Sequence, residues 1–318
     1  MADRPPTGLW PCRTRAARAH QDKTANVELG RRAECTVDLS VPIKLLAMDI
    51  DGTLLDQQGQ LSTANADAIA EAAARGIEIV LVTGRRFHFA LPIAETLPTD
   101  LTLIVNNGAL TKSRAGETLA RHLLPVGTAR LALAATREFR DCASVMFDRP
   151  AERQLILEKI DWSHPLRAAY FRKNSMFLAE EAPLENCLDG EDPIQVGFTG
   201  NCAPMRRAMQ LLAAHPESGR YALSLTEYAE RDLSILDVLR AGVTKGMALE
   251  EWAKLRGIPR EAVMAVGDNF NDLEMLEFAG VPVVMGNAVD ELKAKGWPLT
   301  GTNGQSGLAD AIRRYALG

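Results

Sequence analysis

The sequence predicts an α/β fold, a doubly wound parallel-sheet core with an α+β cap domain inserted into it. Three observations lead there. Apolar strand runs alternate with helical periods between residues 43 and 105, at the spacing of right-handed βαβ crossovers. The alternation stops near Lys112 and resumes near Leu233, so the core is split by an insertion. Short segments rich in Asp, Asn, Gly and Thr follow the core strands, and open α/β sheets bind ligands at those carboxyl ends.

Ile43 to Met48 reads as a buried strand, being almost wholly apolar. A helix follows with Ser62 as N-cap, Ile69, Ala72 and Ala73 on its inner side, and Gly76 as its stop. Ile77 to Val82 is the second strand, a helical stretch runs from about Phe87 to Leu97, and Leu101–Val105 is the third strand. Between roughly 113 and 232 the strands are more widely spaced and more solvated. Ala143–Phe147, Ile194–Thr199 and Tyr221–Leu225 are the candidates there, with helices over 127–140 and 203–214 and an acidic, Pro-containing loop over 180–193. Leu233–Leu239 is a strand or the approach to one. A helix then spans about Lys245 to Arg256, and Ala262 to Val266 is a strand ending at Gly267. A helix at 270–279, the strand Val281–Met285 and helices near 288–295 and 307–316 complete the chain. The expected division is a core of 41–112 and 233–318 and a cap of 113–232.

Composition bounds the function. The chain has 318 residues, 47% hydrophobic and 24% charged, which excludes collagen-like and low-complexity classes and suits two domains. A net charge of -5 argues against nucleic acid as a partner, because that surface is basic. No apolar run approaches the roughly 18 residues of a membrane span, so no membrane partner is expected. The five cysteines lie far apart without a CxxC pair, and the histidines are equally scattered, so neither a disulfide framework nor a zinc site is indicated. A reducing cytoplasm is the simplest setting. Residues 1–40 are rich in Arg, Pro, Thr and Ala and lack the apolar region of a secretory signal. They read as a flexible tail or an upstream start in error ahead of a regulatory arm. Most native chains are expected to begin near Val41, which intact-mass measurement of protein from its own host would check.

Four segments carry chemistry. In Asp49-Ile50-Asp51-Gly52-Thr53 the acids stand two apart in an extended stretch and point to one side, where their repulsion asks for a cation. Val82-Thr83-Gly84-Arg85 ends a strand in a hydroxyl and a glycine whose N–H suits a phosphate oxygen; alone it is no more than a turn. Arg85 reads first as an ion-pair partner. Gly242-Val243-Thr244-Lys245-Gly246 opens a helix with a cation, which the helix dipole disfavours unless an anion sits beside it; a surface lysine is the plain alternative. Gly267-Asp268-Asn269-Phe270-Asn271-Asp272 holds two acids and two amides. Capping by Asn269 or Asn271 needs only one of them, and a hard cation bound by oxygens accounts for the excess.

Over residues 42–318 the sequence resembles the haloacid dehalogenase-like (HAD) hydrolase superfamily, and within it the Cof-like phosphatases of subclass IIB with a large α/β cap. The resemblance rests on Asp49 and Asp51, Thr83, Lys245, and Asp268 with Asn271 and Asp272, in family order, with the cap between the second and third segments. It implies a Rossmann-like core and a Mg²⁺-dependent phosphatase of small phosphorylated metabolites, such as sugar phosphates, flavin mononucleotide or pyridoxal phosphate. Asp49 would be the nucleophile that forms an aspartyl-phosphate, and Asp51 the general acid and base. Asp49, Asp268 and Asp51, the last through its backbone carbonyl, would hold Mg²⁺, with Asp272 supporting a ligand water or Lys245 from behind. Ile50, Thr83, Gly84, Lys245 and Asn271 would bind the phosphoryl group. The charges agree with this casting. A carboxylate nearing a phosphate dianion at 4 Å meets about 8 kcal/mol of repulsion at an effective dielectric near 20, which Mg²⁺ and Lys245 together offset. A phosphomutase, a dedicated sugar-phosphate phosphatase and a silent phospho-ligand-binding module are the competing readings; intact Asp49, Asp51, Lys245 and Asp268 speak against the last. Substrate choice is expected in the cap. Trp162, His164, Tyr170, Arg172 and Lys173 could read a sugar or ring there, although each is more commonly packing or surface, and none is assigned.

Overall fold

The computed structural model describes residues 40–163, 168, 171, 172 and 174–318. The reading of residues 1–39 as a tail lies outside the described residues, as do His164, Tyr170 and Lys173. The chain opens with β1 (Leu45–Met48), α1 (Thr63–Ala74), β2 (Glu78–Val82), α2 (Phe87–Ala94) and β3 (Thr102–Val105), followed by β4 (Leu110–Ser113) and β5 (Thr118–Arg121). The inserted part holds α3 (Val126–Ala135), β6 (Ala143–Met146), β7 (Leu155–Leu157), β8 (Leu178–Glu180), β9 (Gln195–Gly200), α4 (Cys202–Ala213), β10 (Tyr221–Tyr228) and β11 (Leu233–Arg240). The core resumes with α5 (Lys245–Leu255), β12 (Val263–Gly267), α6 (Leu273–Phe278), β13 (Val281–Val284), α7 (Asp290–Lys293) and α8 (Gly307–Ile312).

One sheet has the order β13-β12-β1-β2-β3-β4-β5, parallel from β13 to β3. β1, flanked by β12 and β2, is buried on both faces, which is why it reads as a continuous apolar run. The period of two then sorts its side chains. Leu46 and Met48 join the layer that includes Ile69 of α1 and Leu308 of α8, whereas Leu45 and Ala47 join Leu249 of α5 and Leu276 of α6. The predicted punctuation of α1 is present: Ser62 Oγ accepts the Asn65 N–H at 3.2 Å, and Gly76 follows the helix at φ +81.

The second sheet has the order β10-β11-β9-β6-β7-β8 and is antiparallel except for the β7–β8 pair. Its core is separate, with Leu133, Phe147, Phe198 and Leu212 among its members. Two segments lie on the other sheet from the one their position suggests. β5 and the end of β4, beyond residue 112, extend the core sheet as an antiparallel edge hairpin. β11, expected with the resumed core, pairs with β10 and β9 in the inserted sheet. An alternating apolar strand suits either sheet, and only pairing decides between them.

Other departures are short-range. The helix expected over 127–140 ends at Ala135 and passes into a 3₁₀ segment, Arg137–Cys142. The expected loop over 180–193 contains a 3₁₀ turn that buries Leu184, Cys187 and Leu188. β7 and β8 have three residues each, too few for periodicity to register. Cys187 and Cys202 are free thiols. Among the described residues, no helix is long and apolar enough to cross a membrane.

Candidate active site

The four segments meet where β1, β2 and β12 end and α5 begins. Asp49 continues β1, its N–H donating to Val266 O at 3.1 Å. The chain then doubles back, with Leu54 N–H on Asp49 O at 3.3 Å and Leu55 N–H on Ile50 O at 3.0 Å. Gly52 makes this possible at φ +85, a region strained for any residue with a Cβ. A Cβ on Gly52 would also lie 2.2 Å from Asp268 Oδ2. Thr244 caps α5 by accepting the Met247 N–H at 3.0 Å, which starts the helix at Lys245. The ammonium of Lys245 donates to Asp49 Oδ1 and Asp272 Oδ1, each at 2.6 Å, and the residue is only 1% exposed. The surface-lysine alternative is therefore excluded.

Asp272 has a second task. Its Oδ2 accepts the N–H groups of Asp268 and Asn269 at 2.9 and 3.0 Å, and Asn269 accepts the Phe270 N–H at 2.8 Å. Asn269 is thus the cap and Asp272 its reciprocal partner, which frees Asn271. The expected phosphate contacts surround the same place. Thr83 is buried, and its Oγ1 accepts the Arg85 N–H at 3.1 Å, so its proton remains to donate. A Cβ on Gly84 would meet Asn107 Oδ1 at 3.0 Å, and Asn271 Nδ2 donates to that oxygen at 3.0 Å. Ile50 is fully buried in the turn after β1.

Asp49, Asp268 and Asp272 each offer an oxygen within 4.8 Å of the others. Asp51 is apart from this group. Arg85 Nε and an Arg85 terminal nitrogen hold its two oxygens at 2.7 and 2.6 Å, which agrees with reading Arg85 as an ion-pair partner. Both Asp272 oxygens are filled, so Asp49 and Asp268 are the carboxylates open to a cation. Their donors are all hard oxygens, as Mg²⁺ requires. Among the described residues four carboxyls here face two cations, Lys245 and Arg85, so full ionisation would leave two negative charges in excess. Burial, with Asp272 and Asp51 adding repulsion, outweighs Lys245 and raises the Asp49 carboxyl to about 7. Burial likewise raises Asp268, with Asp272 and Asp49 reinforcing it and the Thr53 hydroxyl donating at 3.0 Å. For Lys245 burial acts downward, and Asp272 and Asp49 overcome it, so its pKa rises. Two crowded carboxyls resisting ionisation are what a divalent cation would relieve, and the donor set fits one.

Several neighbours carried no local signal strong enough to single them out. Thr53 lies inside the first segment, and nothing local in the sequence gives it a role. Asn107 bridges the second and fourth segments: its Nδ2 donates to Asp237 Oδ2 at 3.0 Å while its Oδ1 accepts from Asn271. Asn106 and Asn107 both have positive φ, and Asn-Asn-Gly directly after an apolar strand was the available clue. Asp237 also accepts from Gln195 Nε2 at 2.5 Å, so β9 and β11 reach this cluster. Tyr228, at the end of β10, is half-buried in the field of Asp51 and Asp49; burial first, and those charges next, raise its pKa. Trp162 and Arg172 are exposed.

Residues 46–312 match the model of the haloacid dehalogenase-like hydrolase family. The chain is 30% identical over 287 residues to a pyridoxal phosphate phosphatase of Escherichia coli, covering 86% of this chain and 99% of that protein. It is 30% identical over 278 residues to a 5-amino-6-(5-phospho-D-ribitylamino)uracil phosphatase of Bacillus subtilis, covering 87% and 97%. The solved structure of a HAD-superfamily phosphatase from Bacteroides thetaiotaomicron superposes with a TM-score of 0.71 at 26% identity, over 90% of this chain and 100% of that one.

Proposed function

The chain belongs to the haloacid dehalogenase-like hydrolases, in the Cof-like subgroup with a large cap, and from that premise we propose that it is a Mg²⁺-dependent phosphatase of small phosphorylated metabolites acting through an aspartyl-phosphate. The observation that carries this reading is the Lys245 ammonium, buried and shared at 2.6 Å between Asp49 and Asp272, beside Asp268.

Lys245 fixes Asp49 Oδ1, and the other oxygen attacks phosphorus. The bond from phosphorus to the ester oxygen breaks, and Asp51 gives its proton to the departing alkoxide. Asp51 then takes a proton from water as that water attacks the aspartyl-phosphate, releasing inorganic phosphate and restoring Asp49. Asp51 acts only when freed from the Arg85 fork, so that ion pair belongs to the resting enzyme. Thr83, the N–H groups of Gly84 and Ile50, Asn271 and Lys245 hold the phosphoryl oxygens and stabilise their transition-state charge. Mg²⁺, held by Asp49, Asp268 and the Asp51 carbonyl, would neutralise the excess negative charge and polarise a phosphoryl oxygen.

The inserted domain selects the leaving group. A cavity of about 400 Å³ beside Lys245 and Asn271 has Leu223 and Leu225 of β10, Met209 of α4 and Phe270 on its walls, with the Arg206–Glu227 pair at its polar side. Such walls suit a ring as well as a sugar, in keeping with relatives named for pyridoxal phosphate and a ribityl-uracil phosphate. The test is a panel of phosphorylated metabolites with full-length protein and Mg²⁺. Inorganic phosphate should be released, and chelation should stop release from a generic aryl phosphate. A mutase would retain the phosphoryl group, and a silent binder would release none. Hydrolysis that persists after chelation would sink the metal assignment.

A further inference from the structure

We propose that a second cavity between core and cap, outside the reaction centre, binds a multivalent oxyanion through Arg86. The cavity, about 430 Å³, has Arg86, Phe87 and His88 and the β4–β5 hairpin on one wall, and Phe147 to Pro150 on the other. None of Asp49, Asp51, Thr83, Lys245, Asp268 and Asn271 lines it.

Arg86 is the reason. It is 6% exposed, yet among the described residues its guanidinium donates only to neutral acceptors, Gln154 Oε1 at 3.3 Å and Asn174 Oδ1. Among the described residues its Nε has no hydrogen-bond partner, and no carboxylate lies within ion-pair distance of it. The rings of Phe89 and Phe177 stand 5.0 and 5.5 Å from its central carbon. Guanidinium does not deprotonate in proteins, and a buried, unpaired charge is strongly unfavourable. An anion in the cavity would supply the missing partner.

The rest of the wall is built the same way. Lys112, Arg121 and Arg149 add three cations, and Asp148, paired with Lys112 at 2.8 Å, is the acid on this lining. Arg149 pairs outward with Glu191 at 2.6 Å. His88 stacks on Phe177 at 4.7 Å; burial lowers its pKa first, and Arg86 and Lys112 lower it further against Asp148. Four cations against Asp148 and the Glu191 paired to Arg149 leave two positive charges, which suit a dianion, and the planar forks of arginine suit phosphate or carboxylate oxygens. Because both walls contribute, the bound anion holds core and cap together.

The oxyanion arrives either as a free ion or as the far end of the substrate. Inorganic phosphate is titrated calorimetrically into full-length, Mg²⁺-loaded wild type, Arg86→Gln and Arg149→Gln. A binding event weakened about tenfold or more in both variants is expected, with phenyl phosphate turnover within about twofold of wild type. Identical titrations in all three proteins overturn the proposal. Arg149 lies nearer solvent, so Arg149→Gln carries the test if Arg86→Gln does not fold. The second comparison, phenyl phosphate against 4-carboxyphenyl phosphate, rests on the phosphatase reading. A preference for the carboxylated ester that disappears in Arg149→Gln supports the substrate's far end as the source, and equal turnover with the weakened titration supports a free ion. No turnover of either ester would defeat the phosphatase reading and leave the titration standing.

Discussion

Lys245 donates to Asp49 and Asp272 from a position almost closed to water, so the chemistry of the centre turns on single atoms. Asp49→Asn keeps the shape of the nucleophile and removes its charge. Turnover should fall by about 10⁴ or more, while the melting temperature holds or rises, because burial already opposes that charge. Phosphate-release kinetics beside scanning calorimetry check both; full activity in the variant would overturn the nucleophile assignment. Gly52 offers a test that leaves every carboxylate in place. Gly52→Ala puts a Cβ 2.2 Å from Asp268 Oδ2 and a side chain at φ +85. Strain of about 1–2 kcal/mol and a displaced Asp268 should weaken Mg²⁺ binding about tenfold or more, read by calorimetric titration of the metal. Unchanged Mg²⁺ affinity would remove Asp268 from the ligand set.

At the scale of elements, α5 carries Lys245 to the centre, and α6 follows the 3₁₀ turn that carries Asp272. The two helices meet so closely at Gly246 that a Cβ there would lie 2.4 Å from the Glu274 carbonyl carbon. Gly246→Ala should force them apart and destabilise the protein by about 1–3 kcal/mol, seen as a lower urea midpoint at unchanged slope. Because Lys245 is the adjacent residue, kcat should fall with it; a variant with wild-type stability would show that the helices can separate freely. These elements are legible in the sequence. Gly76, Thr244 and Gly267 punctuate strands and helices through local backbone chemistry, which a neighbouring stretch of chain suffices to set. The short strands β7 and β8 and the hairpin β4–β5 are not, since they are strands only because a partner strand lies alongside.

At the scale of the whole molecule, Asp237 joins the inserted sheet to the core. It accepts from Asn107 and Gln195, has no ion-pair partner among the described residues, and burial raises its pKa from 3.8 to about 7. Between those values the folded protein binds a proton that the unfolded chain has released. The stability this group contributes is therefore complete below pH 3.8 and is lost as pH rises through about 7. The full loss is on the order of 4 kcal/mol. Asp237→Asn should remove that slope, so the wild-type and variant urea midpoints diverge in the variant's favour from pH 5 to pH 8; parallel curves would show that Asp237 is not protonated in the native state. Sequence alone determined the parallel core, the insertion, and the residue types at the strand ends, because periodicity and turn chemistry act over a few residues. Only the tertiary structure decided that β11 pairs with the inserted sheet, that Arg85 grips Asp51, and that Asn107, Asp237 and Arg86 lie buried between the two sheets. Those partners are separated by tens of residues or more along the chain, and a charge or amide becomes decisive only when folding removes its water and chooses what replaces it.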